Sequence, residues 1–229
     1  MGNIVLAAKI THVPTMLMSE QPGPIFGKRK QAIDGHREIV ARAKALGADT
    51  VIVLDTHWLV NAGYHVNCAA SFKGNYTSHE FPHFIQNLEY KYEGNPELGD
   101  LIAEKAQSKG VHALSHQLES LTLEYGTLVP MRYMNEDSSL KVVSVAAWCS
   151  VHSIESSRLM GQAIKEAVEE SDSKVLLLAS GSLSHKIWAN EDYAANNGTF
   201  TISSEFNRQM DLHVLGLWTR GDHATFLKI

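Results

Sequence analysis

Ile4-Val5-Leu6-Ala7-Ala8-Lys9-Ile10-Thr11-His12-Val13-Pro14 and Val51-Ile52-Val53-Leu54-Asp55-Thr56-His57-Trp58 are two apolar runs, each giving way to a polar turn that carries a histidine. Short, strongly apolar runs closed by turn residues read as strands. Between them Gln21-Pro22-Gly23-Pro24 marks a loop, and Ile33, His36, Val40, Ala43 and Gly47 recur on one helical face. Strand, helix and strand make a βαβ unit. Its crossover is almost always right-handed, so the two strands are expected to be parallel. If they are neighbours, His12 and His57 emerge together at the carboxyl edge, where open α/β sheets place their ligands. Two imidazoles there suit a transition metal such as Fe(II) or Zn(II). The plainer alternative is a pair of turn histidines in a chain that has 12. His36 faces the sheet and reads as a core histidine.

Residues 61–95 alternate poorly and are rich in Asn, Gly, Tyr and His, which suggests short antiparallel pieces and loops over the sheet edge. Asn95-Pro96 opens a helix with Leu98, Leu101, Ile102 and Ala106 as its apolar stripe, closed by Gly110. Leu140–Trp148 reads as a third strand. Ile154–Glu170 reads as a helix with Met160, Ala163, Ile164, Ala167 and Val168 inward, and Val175–Ser180 as a fourth strand. Ile202, Phe206, Met210, His213, Val214 and Leu217 mark an amphipathic helix over Thr201–Arg220. The recurring order predicts an α/β fold, one domain over residues 1–229. Its central, mostly parallel sheet is flanked by helices, with a crevice at the strand carboxyl ends.

At 229 residues and 44% apolar, the chain can bury one full core. A formal charge of −5 without a dense Lys/Arg run argues against nucleic acid as a partner. No stretch approaches the roughly eighteen apolar residues of a membrane span, and the first run is too short and early for a secretory signal. A cytoplasmic protein is expected. Cys68 and Cys149 belong to no Cys-x-x-Cys pair and read as reduced thiols.

Two motifs compete for the chemistry. His79-Glu80-Phe81-Pro82-His83 has the spacing of the zinc-peptidase signature, which needs both histidines on one face of a helix. Pro82 removes a backbone donor and crowds the preceding turn, so the match is read as accidental. Ser180-Gly181-Ser182-Leu183-Ser184-His185 follows the fourth strand. Ser182 lacks the glycines two positions away that a nucleophile elbow requires. His185 is better suited to acid/base work, its ordinary pKa lying near neutrality; a histidine capping the turn is the competing reading.

Taken together, Ala8–Pro14, Asp55–Asn61, Glu124-Tyr125-Gly126-Thr127-Leu128-Val129-Pro130 and Ala179–His185 resemble the class III extradiol ring-cleaving dioxygenases. The resemblance is nearest to the branch that acts on catechols bearing an acetate side chain. Tyr92–Gly99, Met131–Asp137 and Glu205–Asp211 extend it over nearly the whole chain. It implies a non-haem Fe(II), or Mn(II), held by two histidines and a glutamate, with His12 and His57 at the histidine positions. It also implies a catechol and O₂ as substrates, a muconic semialdehyde as product, and a homo-oligomer. His185 matches the acid/base histidine. Tyr125 stands where many relatives have a histidine, and His116 is a further substrate-side candidate. Arg132 and Lys186 could pair with the side-chain carboxylate by type. The family's glutamate comes from a segment beyond the equivalent of Arg208–Asp211, and no carboxylate here matches it. Glu119, Glu124 and Asp222 are the substitutes, and the expectation is a domain lacking the family's C-terminal segment. A non-catalytic binding protein on this scaffold and a zinc-dependent hydrolase are the rival readings.

Overall fold

Both histidine-ended runs fold as strands in a computed structural model that describes residues 1–148, 151–185 and 204–229. The strands are β1 (Asn3–Ile10), β2 (Thr50–Asp55), β3 (Tyr64–Asn67), β4 (Ser71–Tyr76), β5 (Leu88–Glu93), β6 (Ala113–His116), β7 (Lys141–Ala146) and β8 (Lys174–Ser180). The helices of the same unit are α1 (Thr15–Met18), α2 (Lys30–Ala45), α3 (Pro96–Ser108), α4 (Tyr125–Met134) and α5 (Ile154–Glu170). This unit spans Met1–Gly181, and a second comprises Ser182–Ile229.

Six strands form one sheet in the order β1-β8-β2-β7-β3-β6. The first four run parallel, β3 is antiparallel to β7, and β6 is parallel to β3. The α/β class with a mostly parallel sheet is therefore as expected. The neighbour relation of the two histidine strands is not: β8 lies between β1 and β2, parallel to both. Ser180 pairs in register with Ile10 on one side and Asp55 on the other. His12 and His57 each follow two residues beyond that level.

Alternation along the buried strands feeds two cores, one on each face. Val51, Val53, Leu176 and Leu178 enter one with Val40 of α2 and Leu128 of α4. Ile52, Val143 and Val175 enter the other with Ile102 of α3 and Ile164 of α5. Burial on both faces explains why these strands read as continuous apolar runs.

Local capping sets the helix ends. Asn95 accepts from Leu98 N at 3.2 Å with Pro96 in the first turn of α3, and Gly110 turns the chain out at φ +75°. Ser153 accepts from Ser156 N at 3.0 Å and opens α5. Gly47 departs from the expected helical face: α2 ends at Ala45 and Gly47 adopts φ +84°, a left-handed turn that glycine, lacking a Cβ, takes up without steric penalty. Between residues 61 and 95, β4 and β5 make the anticipated antiparallel pair, while β3 joins the main sheet.

The second unit contains α6 (Glu205–Thr219), capped by Ser204, and α7 (His223–Phe226), capped by Asp222. Leu217 is buried and Phe206 exposed; Ile202 of the expected stripe lies outside the described residues. Among the described residues no helix is long and apolar enough to cross a membrane. Cys68 is buried, which pushes its thiol up to about 11, and Cys149 lies outside the described residues.

Candidate active site

The carboxyl edge of the parallel strands gathers three of the expected site residues. The rings of His12 and His57 lie 4.8 Å apart at an interplanar angle of 79°. Tyr125, the first residue of α4, packs on both, 4.1 Å from the His57 ring and 5.6 Å from that of His12. Its hydroxyl is 2.7 Å from His57 Nε2.

Each histidine is held from behind. Ser180 Oγ lies 2.7 Å from His12 Nδ1 and donates to the Gly126 carbonyl at 2.5 Å. The His57 turn is fixed by Asp55, whose Oδ1 accepts from the backbone N–H of His57 at 2.8 Å and of Trp58 at 3.2 Å. Thr127 Oγ1 donates to the other Asp55 oxygen at 2.7 Å and also meets Ser144 Oγ at 2.9 Å. Asp55 is fully buried, and loss of solvation pushes its carboxyl up to about 6 against the pull of these donors. A Cβ at Gly126 would overlap the Asp55 carboxylate, so glycine lets the first turn of α4 close onto β2.

Glu80 is the residue that sequence reasoning missed. Its Oε2 accepts from the Tyr125 hydroxyl at 3.3 Å and lies 3.8 Å from His57 Nδ1. Burial, then the Glu80 charge, holds the Tyr125 phenol protonated far above its ordinary range. The signal lay inside the dismissed His79–His83 motif. That stretch is non-helical, as Pro82 demands, but a loop can still bring one carboxylate to the sheet edge. His83 lines a separate cleft of about 510 Å³ with Leu17, Phe84 and the Glu20–Arg132 ion pair. Neither His12, His57 nor Tyr125 lines that cleft, so side-chain chemistry, not cavity volume, marks the site.

Of the remaining candidates, His116, Arg132, Glu119 and Glu124 belong to the first unit and His185 and Asp222 to the second. His116 ends β6, and its Nε2 is 2.7 Å from Nδ1 of His65 on β3, the two rings stacked at 4.9 Å. Trp58, next to His57, approaches both edge-on, at 6.1 Å from His65 and 6.4 Å from His116. Burial first, then the neighbouring His116, lowers the His65 pKa. His185 is an exposed residue of the second unit, one position after Ser184, which donates to Asp211 at 2.8 Å. Arg132 Nε donates to Glu20 at 3.0 Å, and Lys186 lies outside the described residues. Of the substitute carboxylates, Glu119 is exposed, Glu124 accepts from Tyr76 at 2.9 Å, and Asp222 caps α7. Among the described residues no group of three or more His, Cys, Asp or Glu is placed to hold a metal ion. The two imidazoles fit two positions of a transition-metal site by donor chemistry, and among the described residues no carboxylate completes a three-ligand group with them.

Residues 6–229 match the family described as the catalytic LigB subunit of aromatic ring-opening dioxygenase. The chain is 54% identical over 226 residues to a 3,4-dihydroxyphenylacetate 2,3-dioxygenase of Escherichia coli, covering 99% of this chain and 81% of that one. It is 23% identical over 194 residues to a 2-aminophenol 1,6-dioxygenase beta subunit of a Pseudomonas species, covering 80% of this chain and 63% of the relative. Extradiol chemistry of this kind implies a metal cofactor, an aromatic substrate and O₂. With a match over all but its first five residues, the chain belongs to the LigB family of aromatic ring-opening dioxygenases.

Proposed function

We propose that this chain opens the ring of 3,4-dihydroxyphenylacetate with O₂ at a non-haem Fe(II), Mn(II) being the other metal its donors suit. The observation that carries the reading is the His12–His57 pair under Tyr125, in a chain 54% identical to an enzyme of that name. His12 and His57 would hold the metal. Bound there, it would supply a Lewis acid that brings catechol and O₂ together and passes charge between them. The protein then has to position the ring and manage its protons. Tyr125, kept protonated, offers its hydroxyl as a hydrogen-bond donor to a catechol oxygen. His185 takes a proton from a catechol hydroxyl and returns it as the ring opens. His116, backed by His65, is assigned to the substrate side through Trp58. One ring C–C bond beside the diol breaks, both atoms of O₂ enter the product, and a carboxymethyl-bearing muconic semialdehyde results. A cytoplasmic homo-oligomer, one extradiol dioxygenase-like domain per chain, belongs to the same reading.

The test is anaerobic reconstitution with Fe(II), then addition of 3,4-dihydroxyphenylacetate and O₂, following the yellow semialdehyde and O₂ uptake. One O₂ consumed per semialdehyde formed is expected, and His185→Phe should keep bound iron while slowing turnover on the order of a hundredfold. Catechol binding without O₂ uptake would make the chain a binding protein. Oxygen-independent ester hydrolysis by the Zn(II)-loaded form would make it a hydrolase.

A further inference from the structure

We infer that Ser180 is a positioning residue that fixes the tautomer of His12, leaving the lone pair of a neutral ring on Nε2. The consequence for metal binding rests on the reading above. The tautomer itself does not.

A serine hydroxyl has one hydrogen. The Gly126 carbonyl can only accept, so its 2.5 Å contact with Ser180 Oγ takes that hydrogen. The 2.7 Å contact between Ser180 Oγ and His12 Nδ1 then needs its hydrogen from the imidazole. His12 therefore carries a proton on Nδ1, and in the neutral ring Nε2 is the nitrogen able to meet a cation. Ser180 and His12 are 1% and 5% exposed, so both hydrogen bonds lie out of bulk solvent. This is the arrangement by which an outer hydrogen bond selects the ligating nitrogen of a metal-binding histidine and holds its ring plane.

The serine is itself clamped. Gly181 N donates to the Ile10 carbonyl at 3.0 Å, and Thr56 Oγ1 donates to the Ser180 carbonyl at 3.1 Å. Both neighbouring strands thus grip β8 at the level of Ser180. The acceptor is clamped as well, because Gly126 sits between Tyr125, on His57, and Thr127, on Asp55. Three consecutive residues of one helical turn therefore index both histidines. The same hydrogen count excludes Ser180 as a nucleophile in this geometry: its proton is directed at a carbonyl, and its imidazole neighbour is a donor, not a base.

The test reads the tautomer first. Long-range ¹H–¹⁵N correlation of the metal-free, ¹⁵N-labelled protein, with His12→Gln assigning the ring, should show His12 protonated on Nδ1. Ser180→Ala should abolish that preference and raise the apparent Fe(II) dissociation constant 10- to 100-fold, measured against a chromophoric chelator under anaerobic conditions. Ser180→Thr, which keeps the hydroxyl, should restore both. A wild-type ring protonated on Nε2 overturns the inference without any variant having to fold. So does a Ser180→Ala protein whose tautomer or Fe(II) affinity matches wild type. Wild-type protein that binds no Fe(II) would instead overturn the metal reading, and the tautomer comparison would still decide the role of Ser180.

Discussion

At the scale of single residues, the site separates side chains that meet the reaction from those that hold them. The Tyr125 hydroxyl directs its one hydrogen at Glu80 Oε2, 3.3 Å away, while its oxygen lies 2.7 Å from His57 Nε2. Burial keeps that hydrogen in place. Tyr125→Phe removes a donor worth about 0.5–1.5 kcal/mol and leaves the ring packing on His12 and His57 intact. Turnover is expected to fall by up to about tenfold, with Fe(II) stoichiometry and melting temperature near wild type. Steady-state kinetics with a metal count on the same samples check it, and a variant that loses its iron would make Tyr125 a structural prop of His57 instead.

At the scale of elements, the first turn of α4 and the middle of α5 offer opposite outcomes for one substitution. Gly126→Ala drives a methyl group into the Asp55 carboxylate, and overpacking of this kind costs about 1–3 kcal/mol. Iron retention should fall with it, because the same turn carries the contacts to Ser180 and His57. Gly161 lies on the exposed side of α5 with nothing near its missing Cβ. Gly161→Ala should therefore stabilise the protein by about 0.5–1 kcal/mol without touching activity. Paired urea melts decide both. The elements were also where sequence was most legible: α5 begins and ends at the residues its periodicity indicated, and all five inward positions are buried. The strand order was not legible. Periodicity reports which faces of a strand are buried, not which strand lies beside it, so the insertion of β8 between β1 and β2 could not be read from the two histidine runs. The role of Ser180 is hidden for the same reason, since it exists only once β8 is central. Glu80 was hidden differently: a correct steric argument against a helix said nothing about where the loop would place its carboxylate.

At the scale of the whole molecule, one buried carboxyl and two half-buried histidines oppose one another between pH 4 and 7. His65 and His152 both have lowered pKa values, His65 through burial and His116, His152 through burial alone beside the ring of Tyr64 at 3.8 Å. Below their ordinary value of 6.5 the unfolded chain binds more protons at these sites, so their contribution to stability falls as the solution is acidified. Asp55 has the opposite sign. Its folded carboxyl is raised from 3.8 to about 6, so between those values the folded state binds more protons and acidification favours folding. A fully buried shift of that size corresponds to a change on the order of 3 kcal/mol. Asp55→Asn keeps an oxygen for the N–H groups of His57 and Trp58 and turns an amide donor toward Thr127, while removing the titration. Metal-free wild type should gain stability relative to Asp55→Asn as pH falls from 7 to 4, most steeply at about pH 5, midway between the two values, and the variant should show the unopposed acid loss of the histidines. Chemical denaturation of both proteins at unit steps of pH measures the difference. Parallel curves would mean that the three donors hold Asp55 ionised throughout, and that the first turn of α4 closes on a permanent charge.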